Sequence, residues 1–367
     1  STNSLCKISL SWGWLIGIWC TSLITDMSNL FQHKSGFNDD ISGWNVSSVI
    51  NMSYMFHNAS TFNQNISKWN VGLVSDMTFM FNHAKNFNQD ISGWKVASVY
   101  TMAGMFGGAS AFNQDISGWN VGSVTMFFGA SAFNQDISRW NVGSVRTMSC
   151  MFYNAFDFNQ DISGWNVSSV EIMEGMFTVA KNFNQDISGW NVGSVRTMSG
   201  MFFGATTFNQ DISGWNVSSV ESMDLMFYGA TAFNQNISIW NVSSVINMDS
   251  MFREATAFNQ DISIWNVSSV ITMDRMFKEA TAFNQNMCPW MEKIPYIQNT
   301  DIFSGSGCTY KTTPSSSSAS PYCAAATCSP SDSPTNVPSN EPSTANPTTV
   351  EPSTSMPSTT NPTTAKP

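Results

Sequence analysis

Apolar residues recur along this chain with a long period, unlike the short periods of an isolated helix or strand. Trp44, Trp69, Trp94, Trp119, Trp140, Trp165, Trp190, Trp215, Trp240, Trp265 and Trp290 follow one another every 25 residues, except for one 21-residue step from Trp119 to Trp140. Counted from its phenylalanine, the unit reads F-N-Q-D-I-S-x-W-N-V-S-S-V-x-x-M-x-x-M-F-x-x-A-x-x, nearly pure from Phe208 onward, with apolar places at 1, 5, 8, 10, 13, 16, 19, 20 and 23. One coil cannot bury so many apolar groups, whereas stacked copies share a continuous core. Each fully buried large side chain contributes roughly 1.5–3 kcal/mol against about 1–2 kcal/mol per residue for ordering the backbone, so stability must come from neighbouring coils.

Within the unit, Val-x-x-Met, as in Val170 to Met173, begins β-branched and is short, which predicts a brief strand pairing in parallel with its equivalents. The next place holds Ser53, Thr78, Ser149, Ser199, Asp224, Asp249 and Asp274, all good N-caps, and Met-Phe-x-x-Ala then fits one face of a helical turn. The expected fold is an α/β solenoid, a leucine-rich-repeat-like right-handed stack of about eleven coils. Residues 1–36 read as an N-terminal cap with a degenerate first coil, 37–290 as the solenoid, 291–311 as a C-terminal cap and 312–367 as a disordered Ser/Thr/Pro-rich stalk. The apolar stretch Leu10 to Ile24 could serve as a targeting core, but Trp19 stands 25 residues before Trp44, which favours the first coil; no direct membrane span is predicted. The short step removes the segment that elsewhere reads like Tyr100 to Gly104, so a local defect is expected there.

Composition narrows the function. Charged residues make up only 11%, and the net charge of -10 with no basic run leaves no electrostatic footprint for nucleic acid or anionic lipid. His33, His57 and His83 lack Cys or carboxylate at metal-ligand spacing, so no metal site and no cofactor is expected. Cys288, Cys308, Cys323 and Cys328 cluster at the end of the ordered part and suit disulfides in an oxidising compartment, read as Cys288 with Cys308 and Cys323 with Cys328; Cys6 with Cys20 is a further pairing, and Cys150 should stay free.

Two Asn columns accompany the core. Asn63, Asn88, Asn113 and their equivalents can satisfy backbone groups and bond to the same residue one coil away. The second column contains Asn120, Asn141 and Asn166. The Asp column, with Asp90, Asp115, Asp136, Asp161, Asp186, Asp211 and Asp261, faces water, caps a turn or holds calcium. Nine N-x-Ser/Thr sequons, at Asn45, Asn51, Asn58, Asn65, Asn166, Asn216, Asn236, Asn241 and Asn266, permit N-glycans on a secretory route.

The runs FNQDISGWNVSSV, Met226-Phe227-x-x-Ala230 and Met251-Phe252-x-x-Ala255 resemble the repeats of BspA-like leucine-rich-repeat surface proteins, over about Trp19 to Phe303. The stretch from Phe283 to Cys308 is similar to the C-terminal cap of eukaryotic members. The resemblance implies an extracellular or cell-surface protein of adhesion or recognition, with no catalytic residues. The 21-residue coil and Lys95 in the second Asn column depart from the pattern.

Binding is expected at positions that vary without disturbing the core: Tyr54, Phe79, Tyr100, Arg146, Glu171, Arg196, Glu221, Asp224, Asp249 and Asp274. Arg146, Glu171, Arg196 and Glu221 alternate in sign in successive coils, which reads first as a salt-bridge ladder and second as a partner site. The leading function is a scaffold for protein or glycan partners, the alternative a passive wall or matrix element. No nucleophile elbow, phosphate loop or asymmetric carboxylate pair points to an enzyme.

Overall fold

The computed structural model describes residues 16–119, 126–291, 293–295, 298–314, 322–325 and 328. It is a stack of coils in which each residue lies beside its equivalent in the next coil. The apolar places form one core: Ile212, Trp215, Val217, Val220, Met223, Met226, Phe227, Ala230 and Phe233 are all at most 3% exposed, and the same places are buried in the described coils from Ile41 onward, whereas Trp19 and Ile24 of the first coil are 42% and 37% exposed. Phe202, Phe227 and Phe252 stack at 5.7 and 5.5 Å, and Phe208, Phe233 and Phe258 form a second file at 6.1 Å. The indole N–H of Trp215 donates to the carbonyl of Ile187 in the preceding coil, a bond that recurs from Trp44 to Trp265 in most coils and satisfies the one polar atom of a buried indole.

The expected strand contracts to one residue. Parallel bridges join Asp26, Asn51, Asp76 and Thr101, and then Thr147, Ile172, Thr197, Ser222, Asn247 and Thr272. The expected helical turn is absent: the described helices are two 3-10 turns, Ile16–Ile18 and Cys288–Trp290. In its place stand linked β-turns. The N–H groups of Met52, Tyr54, Phe56 and Asn58 donate to carbonyls of Asp76, Thr78, Met80 and Asn82 in the next coil, while Met55, His57 and Ala59 close turns onto Met52, Tyr54 and Phe56. Alternate amides thus bond across and back, and none is left over. Tyr54 and Asn58 have φ of 57° and 59°, the left-handed third residue that a type II turn requires. The same two places carry Gly104 with Gly108 and Gly200 with Gly204, where glycine adopts that conformation without steric cost. A left-handed residue every fourth position cannot continue an α-helix, although the spacing of Met, Phe and Ala mimics a helical face.

The first coil follows the expected register. Trp19 stacks on Trp44 at 6.1 Å and 13°, and Met27 and Phe31 enter the core. Residues 10–15 of the apolar stretch, and the tail expected to be disordered from 312 onward, lie outside the described residues apart from 312–314, 322–325 and 328. Around the short step, residues 120–125 also lie outside them, and the expected defect there with them. On either side the files continue: Phe106 and Phe127 are 6.0 Å apart, Phe127 and Phe152 5.9 Å, and the N–H of Phe106 reaches the carbonyl of Met126.

At the other end, residues 298–304 imitate one more coil. Carbonyls of Gln298, Thr300, Ile302 and Ser304 accept from Met273, Arg275, Phe277 and Glu279, and Phe303 stacks on Phe277 at 5.8 Å. Antiparallel bridges from Cys323 to Asn286 and Tyr310 fold the chain back over this end. The four clustered cysteines are bonded, with partners other than those expected: Cys288 pairs with Cys328 and Cys308 with Cys323. The return of residues 322–325 sets Cys323 beside Cys308, a proximity that separation along the chain does not report. Cys20 is also disulfide-bonded, Cys6 lies outside the described residues, and Cys150 is a free thiol.

Candidate binding edge

The polar columns divide into those that hold coils together and those that remain open. The first Asn column is structural: the Asn209 side-chain oxygen accepts from the N–H of Asn234 at 2.9 Å and from Gln235 Nε2 at 3.0 Å, and the pattern runs from Asn38 to Asn284. At the last coil Thr309 N–H takes the same place on Asn284. The second column caps turns locally. Asn216 accepts from the N–H and hydroxyl of Ser218, as Asn241 does from Ser243, and both are exposed.

The Asp column also caps turns. Asp90 Oδ1 accepts from Ser92 N–H and Asp186 Oδ1 from Ser188 N–H, each at 2.9 Å. Bonds from the serine hydroxyl and N–H hold the Asp90 carboxyl below its ordinary value, and the N–H and hydroxyl of Ser188 do so at Asp186. One oxygen of each carboxylate is thereby engaged by its own turn. Among the described residues no group of three or more His, Cys, Asp or Glu converges as a metal site.

The bridge residue is a cap that sequence reasoning assigned to the wrong place. Asn51, Asp76 and Asn247 accept from the N–H two residues on, in Ser53, Thr78 and Asp249. The presumed N-caps do different work: Asp249 Oδ1 accepts the N–H of Asp274 in the next coil at 2.7 Å, and Asp224 accepts the Ser222 hydroxyl at 2.6 Å. Asp, Asn, Ser or Thr two residues before each presumed cap, as at Asn51, Asp76, Thr147, Thr197, Ser222, Asn247 and Thr272, was the available signal.

The ten expected binding residues fall in three columns along this bridge edge. Tyr100, Arg146, Glu171, Arg196 and Glu221 precede the bridge; Asp224, Asp249 and Asp274 follow it by two places, and Tyr54 and Phe79 by three. Tyr54 and Phe79 pack on each other at 5.2 Å, and the Phe79 ring covers Gly104, where a Cβ would stand 2.3 Å from it. Those two are partly consumed by packing. Tyr100 remains 70% exposed. Arg146 pairs with Glu171, and Arg196 with Glu221 at 3.5 Å, with the arginine side chains 75% and 68% exposed. Exposed pairs of this kind contribute about 0–1 kcal/mol, so they are free to exchange partners. Glu171, Arg196 and Glu221, with Ser194, Ser219 and Ser244, line a shallow depression of about 530 Å³. Below it in the same column stand Ile246 and Ile271, 44% and 60% exposed.

The family described as Mycoplasma protein of unknown function, DUF285, matches residues 10–119, 90–188, 114–215, 158–248 and 203–309, in overlapping copies that span the whole solenoid. The chain belongs to this DUF285 family. Membership fits the repetition already seen in the coils, and the family's description assigns no activity. No curated protein matches the chain. Among solved structures, a crystal structure of a TLR13–ssRNA13 complex is similar at a TM-score of 0.28 and 10% identity, over 66% of this chain and 35% of that one. The DUF285 chain thus spans about a third of that protein's length.

Proposed function

We propose that this DUF285 protein is a non-catalytic scaffold at a cell surface or in the extracellular space, recognising protein or glycan partners along its bridge edge. One observation carries the reading. The core columns repeat in coil after coil, whereas the column before the bridge changes from Ile50 and Ser75 through Tyr100 and the Arg/Glu run to Ile271, all outside the core. An edge whose residues change freely at constant backbone is how a solenoid acquires a partner. The disulfides support an oxidising compartment. The exposed sequons Asn45, Asn166, Asn216, Asn241 and Asn266 suit a glycoprotein, and the Ser/Thr/Pro-rich sequence after residue 312 suits a stalk. No helix among the described residues is long and apolar enough to cross a membrane.

The test is a glycan and protein array probed with the whole chain, wild type against an Arg196→Ser, Glu221→Ser double variant. Ser75 occupies the same column, so serine there preserves the coil. Binding that falls by about tenfold, the effect of roughly 1.4 kcal/mol, supports the edge. Binding indifferent to the substitutions moves the site elsewhere, and no binding to any probe favours a passive wall or matrix element.

A further inference from the structure

The three histidines are separated by 24 and 26 residues, and a 25-residue coil turns those separations into neighbourhood. His33 and His83 occupy the same left-handed place as Asn58, two coils apart, and His57 stands one place before it. The rings of His33 and His57 lie 5.1 Å apart at 75°, and His57 and His83 lie 6.3 Å apart. His33 Nδ1 and His57 Nε2 converge on one atom, the side-chain nitrogen of Asn58, at 3.1 and 2.9 Å.

We propose that His33 and His57 form an open two-imidazole site for a divalent transition-metal ion of the zinc or copper class, entered where the Asn58 carboxamide now sits. The separation fits. An imidazole bound at roughly 2.0–2.1 Å has its centre roughly 3.2 Å from the ion, so two rings at a tetrahedral angle stand about 5 Å apart. Both nitrogens accept from the Asn58 amide, and a ring nitrogen that accepts is unprotonated, the form a metal ligand requires. Reorienting the His57 ring gives up its bond to Asn58 and its edge contacts with the Tyr54 and His83 rings, beside the Asn82 amide. Asn58 has an oxygen to offer once it turns, and His33 is exposed, which leaves an entry path and room for water. His83 is too far from His57 to share the ion at that angle. The surrounding groups are Tyr54, with its ring 5.6 Å from His57, and the amide of buried Asn82. With two protein nitrogens, the site holds an ion that a carboxylate or imidazole of a partner can complete.

The repeat supplies its own conservative variants. Asn58 fills the place of His33 one coil later, and Asn82 fills that of His57, so His33→Asn and His57→Asn keep the fold. Zinc chloride is titrated calorimetrically into the whole chain at neutral pH, with histidine ring resonances followed by NMR. The expected result is saturable binding of one ion, His33 and His57 resonances shifting together, and affinity falling by about tenfold or more in either variant. His83→Asn should leave affinity within about threefold, a change well below the loss of a ligand. Absence of saturation up to about 1 mM zinc, or wild-type affinity in His33→Asn, overturns the proposal.

Discussion

Replacing Asn209 by leucine separates the polar ladder from the apolar core as sources of stability. The Asn209 side-chain oxygen accepts both the Asn234 N–H and Gln235 Nε2, while Asn209 itself donates its N–H to Asn184. Leucine keeps the branched shape and the outgoing bond but strands the Asn234 amide. A buried donor left unpaired costs about 1–3 kcal/mol, and the lost glutamine bond adds about 0.5–1.5 kcal/mol. Asn209 and Asn234 are half-buried, which places the expected loss near 2 kcal/mol. Asn209→Asp retains the accepting oxygen between the neutral neighbours Asn184 and Asn234, and should lose less than about 1 kcal/mol. Asn216→Ala, in the exposed local cap, should also lose less than about 1 kcal/mol, at the lower end of what capping residues contribute. Urea unfolding followed by tryptophan fluorescence gives the differences, and hydrogen exchange at the Asn234 amide reports the broken bond even where a repeat array unfolds in stages. A leucine variant within about 0.5 kcal/mol of wild type, or an aspartate variant as damaged as leucine, would refute the reasoning.

Three further outcomes are expected. Val179 has φ of 56° at a place that Asn58 and Asn154 also fill, and β-branched residues there are strained; Val179→Asn should raise stability by about 0.5–1 kcal/mol, and a lower urea midpoint would contradict this. The carboxyls of Asp40, Asp90, Asp136, Asp161, Asp186 and Asp211 are held below the ordinary 3.8 by their serines, so their stabilisation is complete above that value and is lost as pH falls through the depressed folded values. A melting temperature flat from pH 4.5 to 2 would exclude that contribution. Non-reducing peptide mapping should recover Cys288 with Cys328 and Cys308 with Cys323, closing loops of 40 and 15 residues that restrain the unfolded cap by about 4 and 3 kcal/mol taken singly. Reduction should loosen the last coil before the others, and recovery of Cys288 joined to Cys308 would reject the observed cap.

The sequence by itself determined which residues stack. A period of 25 places Phe208 on Phe183 and Asn209 on Asn184, so the core files, the Asn ladder and the register of the first coil at Trp19 are all legible in it. Periodicity reports neighbours but not backbone conformation. Met-x-x-Met-Phe-x-x-Ala satisfies a helical face and a chain of stacked turns equally well, and the choice falls to the amides: those of Met52, Tyr54, Phe56 and Asn58 find carbonyls in the next coil, which exists only in the folded stack. Glycine or asparagine at Gly104, Gly108, Asn154 and Gly204 was the local trace of that outcome. The cysteine partners and the meeting of His33 with His57 depend on contacts where the period ends or where two residues sit one place out of register. The period brings His33 within one place of His57, but which ring nitrogens face each other, and which cysteines pair, is set by the path of the chain through space.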